Sequence, residues 1–552
     1  MSVLNKKWVI KNNDPNKSTL EKIISNRSHL NLENQLTEFH DPYLFTDMEK
    51  AVKRVKEAIY KNEKIIIFGD YDVDGITGTA ILVHTLRHLN AQVSFRIPNR
   101  VNDGYGLSEK FIDEFIEKKI DLVITTDCGI SCFKEVEKAN AHNIDVIITD
   151  HHTVPPNAPP ALAVIHPKHD KNYPYDELTG SGVAFKFAQA LIKKLAPESD
   201  LPEYLVDLAS MGTVADLGPL NDENRLIVQR GLERLKNTRW QGLKKIMESS
   251  GVKNGDEIDT STIGFRIAPR INAAGRIGDP YTPLFLLLVD GDHSKIEQLT
   301  SELETLNGNR QKMTADYFEE ISEKISSLNK VPSIVIYEDP NWHVGVLGLI
   351  AGKVAEKYSR PAIVFQDKGD TLVASARSPE FFNVIEAIST AKDLLIGFGG
   401  HPQAAGLSIK KENYQEFKKK LEEYADSVLE GLDLSLTLEI DCEISPKEIS
   451  TELIHQISHL SPFGVGNSQP IFLLKKAKPV FVKTIGQANN HLKFAVESEN
   501  TLTDVIAFNM GEQAEFLKTL DFIDLVFRLE TNVWNGRESL QLQLLDLRSH
   551  QE

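Results

Sequence analysis

The sequence predicts an α/β protein: a parallel-sheet domain joined by a long helix to a second α/β domain, with a C-terminal β-barrel after it. Three observations carry this. Between Lys64 and about Pro167, β-rich runs of strand length alternate with helical patterns, as in a parallel sheet covered on both faces. Residues 293–328 form one polar stretch with apolar positions three and four apart, which is a single amphipathic helix. After Leu432, alternating strand-like runs with few helices indicate a small antiparallel barrel.

The strands of the first domain are KIIIF (64–68), QVSFRI (92–97), DLVITT (121–126), DVIIT (145–149) and LAVIH (162–166). Between them ITGTAILVHTLRHL, EKFIDEFIEKK and FKEVEKANAH read as helices, and the chain from Pro174 to about Gly251 is mostly helical. The long helix carries Ile296, Leu299, Leu303, Leu306 and Met313, then Phe318, Ile321, Ile325 and Leu328. At about 1.5 Å per residue it spans ~50 Å. It is too polar for a core element and reads as a connector, with Gly308 marking a bend. A second α/β unit runs from PSIVIYED (332–339) through GFGGHPQAAGLS (397–408) to a helix near 411–430, whose KKK (418–420) reads as a solvated face. The expected domains are 1–60, an extension packing on the core; 61–290, the parallel-sheet domain; 291–330, the connecting helix; 331–431, the second α/β domain; and 432–552, the barrel.

Composition excludes some functions. With 62 Lys+Arg against 79 Asp+Glu, the 552-residue chain carries −17 and cannot coat polyanions non-specifically. Contact with nucleic acid therefore needs a local basic groove or bound metal. Hydrophobic residues at 41% exclude wholesale disorder. Three cysteines, Cys128, Cys132 and Cys442, are too few for a disulfide framework and fit a reducing compartment. Cys128 and Cys132 read as ordinary thiols. The start of the chain has no apolar signal core, and no run approaches the ~18 apolar residues of a membrane span. A soluble, cytoplasmic protein with no membrane partner is expected.

The chemistry concentrates at strand ends. In FGDYDVDG (68–75), Asp70, Asp72 and Asp74 follow a strand, and Gly75 lets the chain turn into a helix. Three such carboxylates repel one another unless a cation holds them. D-x-D-x-D-G also opens a calcium-binding EF-hand loop, but that loop needs a Glu at its twelfth position, here Ile81, and a preceding helix. Asp127 ends the strand DLVITT, and Asp150-His151-His152 ends DVIIT. In parallel sheets ligands bind at this edge. Asp216, in MGTVADLG, is the only acid of an apolar helix end and can reach the same cleft. Carboxylates with one or two imidazoles suit Mn²⁺ or Mg²⁺. Such a set can hold two ions ~3.5–4 Å apart for an in-line phosphoryl displacement.

The set DYDVDG, TTDCG, TDHH and TVADLG resembles the four signatures of the DHH phosphoesterase family. GSGVAFK (180–186), RINAAGRIG (270–278), WHVGVLGLIAGKVAEKYSRPAIVF (342–365), ASARS (374–378), GFGGHPQAAG (397–406) and SPFGVGNSQPIF (461–472) extend the likeness to its bacterial single-strand exonuclease branch. The resemblance implies a DHH domain, a DHH-associated domain and an OB-like barrel. It implies a metal-dependent 5′→3′ exonuclease that cuts single-stranded DNA to 5′-mononucleotides in recombination and repair, with two divalent ions, Mn²⁺ or Mg²⁺. Asp72 and Asp74 would be ligands with Asp70 beside them, Asp127 would bridge the ions, and His151 and Asp216 would complete the second. His152 would face the substrate phosphate and Asp150 orient its neighbours. Related pyrophosphatases carry a ligand His where this chain has Phe68, a departure at the first metal.

Phosphate is held best by the planar fork of Arg. Candidates are Arg100 after a strand, Arg270, Asn272 and Arg276 in a small-residue segment, and Ser375 with Arg377 in the second α/β unit. By resemblance Arg100, Ser375 and Arg377 would hold the 5′ end and so set polarity. Gly399, Gly400 and His401 would form the phosphate-side loop of the DHH-associated domain. Trp534, Phe508, Lys493 and Arg537 are candidate strand contacts on the barrel. A helicase and a single-strand-binding protein are partners implied by the family alone, with a monomeric chain. Two other functions compete: a DHH phosphodiesterase for short oligonucleotides or cyclic dinucleotides, and a non-catalytic single-strand-binding replication scaffold, which would have lost ligands that are all present here.

Overall fold

The computed structural model describes residues 2–30, 35–100, 103–104, 106–486, 488–499, 501–534 and 537–550. The chain divides into two compact units, Leu36–Leu432 and Met1–Gln35 with Asp433–Glu552. In the larger unit a five-stranded parallel sheet runs in the order Gln92–Arg96, Lys64–Gly69, Leu122–Thr126, Asp145–Thr149, Ala163–Ile165. Alternate side chains feed two cores. Ile65, Ile67, Leu122 and Ile124 face the helices Val73–His88 and Gly180–Leu195, whereas Ile66, Phe68, Val123 and Val146 face Glu109–Glu117 and Phe133–Ala141. Sandwiched on both faces, these strands are apolar throughout rather than alternating. The chain leaves the Lys64–Gly69 strand for one edge and returns to its other side at Leu122–Thr126. That reversal opens a crevice at the carboxyl ends of the two strands.

The connecting helix is His293–Ser326, continuous through Gly308 where a bend was expected. Ile296, Leu299 and Leu303 bury against the parallel-sheet core; Ile321 and Ile325 bury against the second α/β core with Trp342, Val346 and Ile350. Its polarity is thus that of a two-ended strut. The second sheet runs Leu395–His401, Ala404–Lys410, Thr371–Arg377, Ala362–Asp367, Val335–Asp339. The KKK segment is solvated as read, Lys418, Lys419 and Lys420 facing Glu422, Glu423 and Glu416.

In the smaller unit Phe472–Ile485, His491–Ser498, Thr501–Ala507, Arg537–Ser549 and Ile523–Trp534 form a closed five-stranded barrel, shut by pairing of its first and last members. Thr501–Ala507 and Arg537–Ser549 run parallel, and the other neighbours are antiparallel. Phe472, Phe494, Val505, Phe527 and Leu542 fill the interior. Among the described residues no helix is long and apolar enough to cross a membrane.

The first sixty residues are not one extension. Strand Lys7–Ile10 pairs in parallel with Thr437–Ile440, and Arg27 bonds Asp441 at 2.6 Å with both side chains buried, so residues 1–35 belong with the barrel. Only the later part, with helix Met48–Lys61, packs on the parallel-sheet core. A buried ion pair that loses one partner strands a desolvated charge, at a cost of about 3–5 kcal/mol. Asp441→Ala is therefore expected to raise amide exchange in residues 7–10, 437–444 and 471–474 while leaving the parallel sheet protected. Unchanged exchange in those segments would contradict this tie.

Candidate metal centre and phosphate pocket

Register places the acids side by side. Gly69 pairs with Thr126, Thr126 with Thr149 and Thr149 with Ile165, so Asp70, Asp127 and Asp150 each step off the sheet at the same level. Adjacent strands lie about 4.8 Å apart. Asp127 has φ +61°, a left-handed turn that few side chains other than Asp and Asn take readily, and Gly129 follows at φ +114°. Asp72 caps the helix Val73–His88, its carboxylate accepting from the Gly75 amide at 3.1 Å. Asp74, in the first turn of that helix, accepts from the Gly180 amide at 2.6 Å and the Ser181 amide at 3.0 Å, the N-terminus of Gly180–Leu195. This amide cradle has no counterpart among the sequence candidates. Its sign is the GSG that opens GSGVAFK: a Cβ at Gly180 would lie 2.5 Å from Asp127 Cβ, and one at Gly212 would lie 2.4 Å from Asp74 Oδ1.

The imidazoles close the cluster. His151 Nε2 lies 3.0 Å from Asp127 Oδ1, 3.5 Å from Asp216 Oδ2 and 3.8 Å from Asp74 Oδ2. Asp216 caps the end of helix Leu201–Ala215. Ligand atoms converge within 4.8 Å in three groups: Asp70, Asp72 and Asp127; Asp74, His151 and Asp216; and Asp127, His151 and His152. Asp127 thus stands between an all-carboxylate group and a histidine-bearing one, and Asp74 sides with His151 rather than with Asp72. Burial, then the neighbouring carboxylates, pushes Asp127 and Asp70 well above the usual carboxylate range and raises Asp72. The same causes push Asp216 up to about 8. Asp70 Oδ1 is shut off from solvent with no hydrogen-bond partner. An oxygen-rich donor set whose members resist ionising together fits hard divalent cations.

Asp150 behaves differently. Burial opposes its charge, but the 2.7 Å bond to His152 Nδ1, the His152 charge and the Ile130 amide at 2.9 Å hold it down at about 2. Burial likewise works against a charge on His152, and the Asp150 bond overcomes it, raising His152 to about 9. Burial lowers His151, against the opposing pull of the Asp74 carboxylate. Phe68 is fully buried against Phe111, ring centroids 5.0 Å apart, and offers no ligand. Cys128 and Cys132 are buried free thiols, pushed up by burial.

The phosphate candidates divide. Ser375 and Arg377 share one face of their strand, and a Cβ at Gly348 would lie 3.2 Å from Arg377 Nη2 and 3.7 Å from Ser375 Oγ. Arg276 donates to the Gly345 carbonyl at 3.3 Å, and Arg100 lies 5.4 Å over the Tyr71 ring. Asn272 instead braces the metal-side helix, its Oδ1 accepting from the Val73 amide at 3.2 Å. Arg270 Nε meets Glu304 of the connecting helix at 2.6 Å, a carboxylate partner that the other candidate arginines lack among the described residues. Gly399, Gly400 and His401 are not a loop but the exposed end of an edge strand paired with Ala404–Gly406. On the barrel Phe508 is exposed and Lys493 pairs with Asp504 at 3.5 Å; the side chains of Trp534 and Arg537 lie outside the described residues.

Comparison with known proteins agrees with this construction. Residues 64–213 match the DHH family, N-terminal domain, residues 331–427 the DHHA1 domain, and residues 440–546 the RecJ OB domain. The chain is 40% identical over 513 residues to the single-stranded-DNA-specific exonuclease RecJ of Bacillus subtilis, covering 92% of this chain and 64% of that protein. It is 34% identical over 532 residues to RecJ of Haemophilus influenzae, covering 93% and 92%. The crystal structure of Thermus thermophilus RecJ in complex with Mn²⁺ superposes with a TM-score of 0.82 at 30% identity, covering 97% of this chain and 76% of that one. The chain spans less than two thirds of the Bacillus protein but nearly all of the Haemophilus one. With three matching domains in order and acids that converge on one sheet edge, the chain belongs to the RecJ family of DHH proteins.

Proposed function

We propose that this protein is a metal-dependent exonuclease that removes 5′-mononucleotides from single-stranded DNA, working 5′→3′ in recombination and repair. The observation that carries the reading is Asp127, left-handed at a strand end and shared by two of the three ligand groups, the all-carboxylate one and the one it forms with His151 and His152. Asp70, Asp72 and Asp127 hold one divalent ion; Asp74, His151 and Asp216, again with Asp127, hold the other. Mn²⁺ or Mg²⁺ bound there neutralises the cluster, polarises the phosphoryl oxygens and acidifies a water for attack. His152, kept protonated by Asp150, faces the scissile phosphate and stabilises the charge that develops on it. Arg100, Arg276, Ser375 and Arg377 hold the strand's 5′ end, with Gly399, Gly400 and His401 contributing from the second sheet. The barrel follows the single strand. A helicase and a single-strand-binding protein are the partners of a monomeric, cytoplasmic chain.

Relatives named as RecJ, and their Mn²⁺- and Mg²⁺-bound structures, support this over the small-substrate reading. Digestion of 3′-labelled single strands in Mn²⁺ is expected to give a shortening ladder from a 5′-phosphate end and none from a blocked 5′ end. Hydrolysis of di- to tetranucleotides with long strands untouched would favour a short-oligonucleotide phosphodiesterase. Asp127→Ala is expected to lower cleavage by a thousandfold or more, about 4 kcal/mol of lost transition-state stabilisation, while DNA binding changes far less. Wild-type turnover by that variant in metal-controlled buffer would sink the mechanism.

A further inference from the structure

The polar side chains on the buried stripe of the connecting helix have a purpose that its strut role leaves open. Asn307 and Thr314 are buried there, and Arg310 lies between them, half-buried. Arg310 Nη2 donates to Asn307 Oδ1 at 2.7 Å, which steadies the guanidinium, while its Nε is cut off from solvent with no hydrogen-bond partner. Among the described residues no carboxylate forms an ion pair with Arg310, Arg276, Arg377 or Arg100, although Arg270 nearby has Glu304.

Helix Ala268–Ile277 packs against the connecting helix near Arg310. The Arg270–Glu304 pair sets the register between that helix and the connecting one, and a Cβ at Gly278 would lie 2.7 Å from the Leu306 methyls. Beyond the ion pair, Ile277 of the one helix and Met313 of the other both pack on the second α/β core. Six residues beyond the two members of that pair stand Arg276 and Arg310, each about 9 Å along at 1.5 Å per residue. Burial first, and then the charges of Arg100 and Arg310, pushes Arg276 down to about 10; burial and then Arg100 lower Arg377. Arg276 thus feels Arg100, Arg310 and Arg377, with Asp72 offsetting part of that charge, and guanidiniums held in reach of one another with no carboxylate in ion-pair contact form a preorganised anion site.

We infer that Arg310 is a further phosphate-binding residue of the pocket, supplied by the connecting helix, which takes a phosphate of the single strand together with Arg276. This rests on the single-strand reading above. The role also explains why a solvated strut keeps a half-buried arginine at its middle: strand binding bridges the two α/β domains through the element that joins them.

The test measures binding of 3′-fluorescent single strands by anisotropy across a salt series, and KM and kcat for their digestion. Arg310→Gln is expected to raise Kd and KM by on the order of tenfold, with a smaller change in kcat, and to reduce the log–log salt slope by about 0.7, the value for one phosphate contact on a single strand. Loss confined to 5′-phosphorylated strands places the contact at the terminal phosphate; equal loss on 5′-hydroxyl strands places it on the backbone. Lys419→Gln, on the solvated face, serves as the charge control and leaves the slope unchanged. A lower melting temperature with wild-type KM, Kd and salt slope would make Arg310 a bracing residue only and overturn the inference. Should Arg310→Gln not fold, Arg310→Lys decides: the salt slope is retained but KM rises several-fold as the planar fork is lost, and wild-type KM would count against the role. Because binding is read separately, strand binding without digestion by the unmodified chain would count against the nuclease reading and leave Arg310 testable.

Discussion

Repulsion among carboxylates crowded at one sheet edge is the constraint on which the rest of this structure turns. Two like charges 4 Å apart cost about 4 kcal/mol at the effective dielectric of a protein site, and a few such pairs match the whole net stability of a domain. Asp70, Asp72, Asp74, Asp127 and Asp216 are nevertheless brought together. The compensation visible in the fold is specific: the Gly180 and Ser181 amides on Asp74, the Gly75 amide on Asp72 and the His151 ring among Asp127, Asp216 and Asp74. Helix Gly180–Leu195 is in turn braced by Lys186, wholly buried on Glu223, which also bonds the His40 amide and the Tyr173 hydroxyl. What amides and one imidazole leave uncancelled is the share that divalent cations supply.

Much of this was legible in the chain. An apolar strand that ends on Asp announces both the parallel sheet and its active edge, so the strand pattern alone places Asp70, Asp127 and Asp150. Asp216 was visible because an acid is conspicuous at the end of an apolar helix. The partition of ligands was not legible. Asp74 lies two residues from Asp72, yet the helix start turns it toward the Gly180 amides and His151, and that choice depends on a helix over a hundred residues away. Arg270 and Arg276 sit in one short motif, and only the docked connecting helix shows that Glu304 neutralises the first and leaves the second uncompensated. Residues 1–35 carry no motif; their place beside the barrel comes from a strand edge and from Arg27 meeting Asp441, separated by 414 positions. The family resemblance implied a loop at Gly399–His401, but pairing with Ala404–Gly406 holds them extended.

Charge is divided as function requires. A chain of net −17 holds DNA only where cations are locally concentrated, and the arginines without carboxylate partners gather beside the acidic cluster. The result is a cleft with carboxylates on one side and guanidiniums on the other, which the proposed function assigns to metal and to phosphate. Asp150 raises the proton affinity of His152, whereas burial lowers that of its neighbour His151.

In the proposed function the carboxylate cluster is built around a cation pair joined by Asp127. Electron paramagnetic resonance during Mn²⁺ titration of the metal-stripped chain tests it most directly. Two ions per chain with a spin-coupled signal, reduced to at most one uncoupled ion in Asp127→Ala, is the predicted result. A single uncoupled ion in the unmodified chain, or coupling that survives the loss of Asp127, would contradict it.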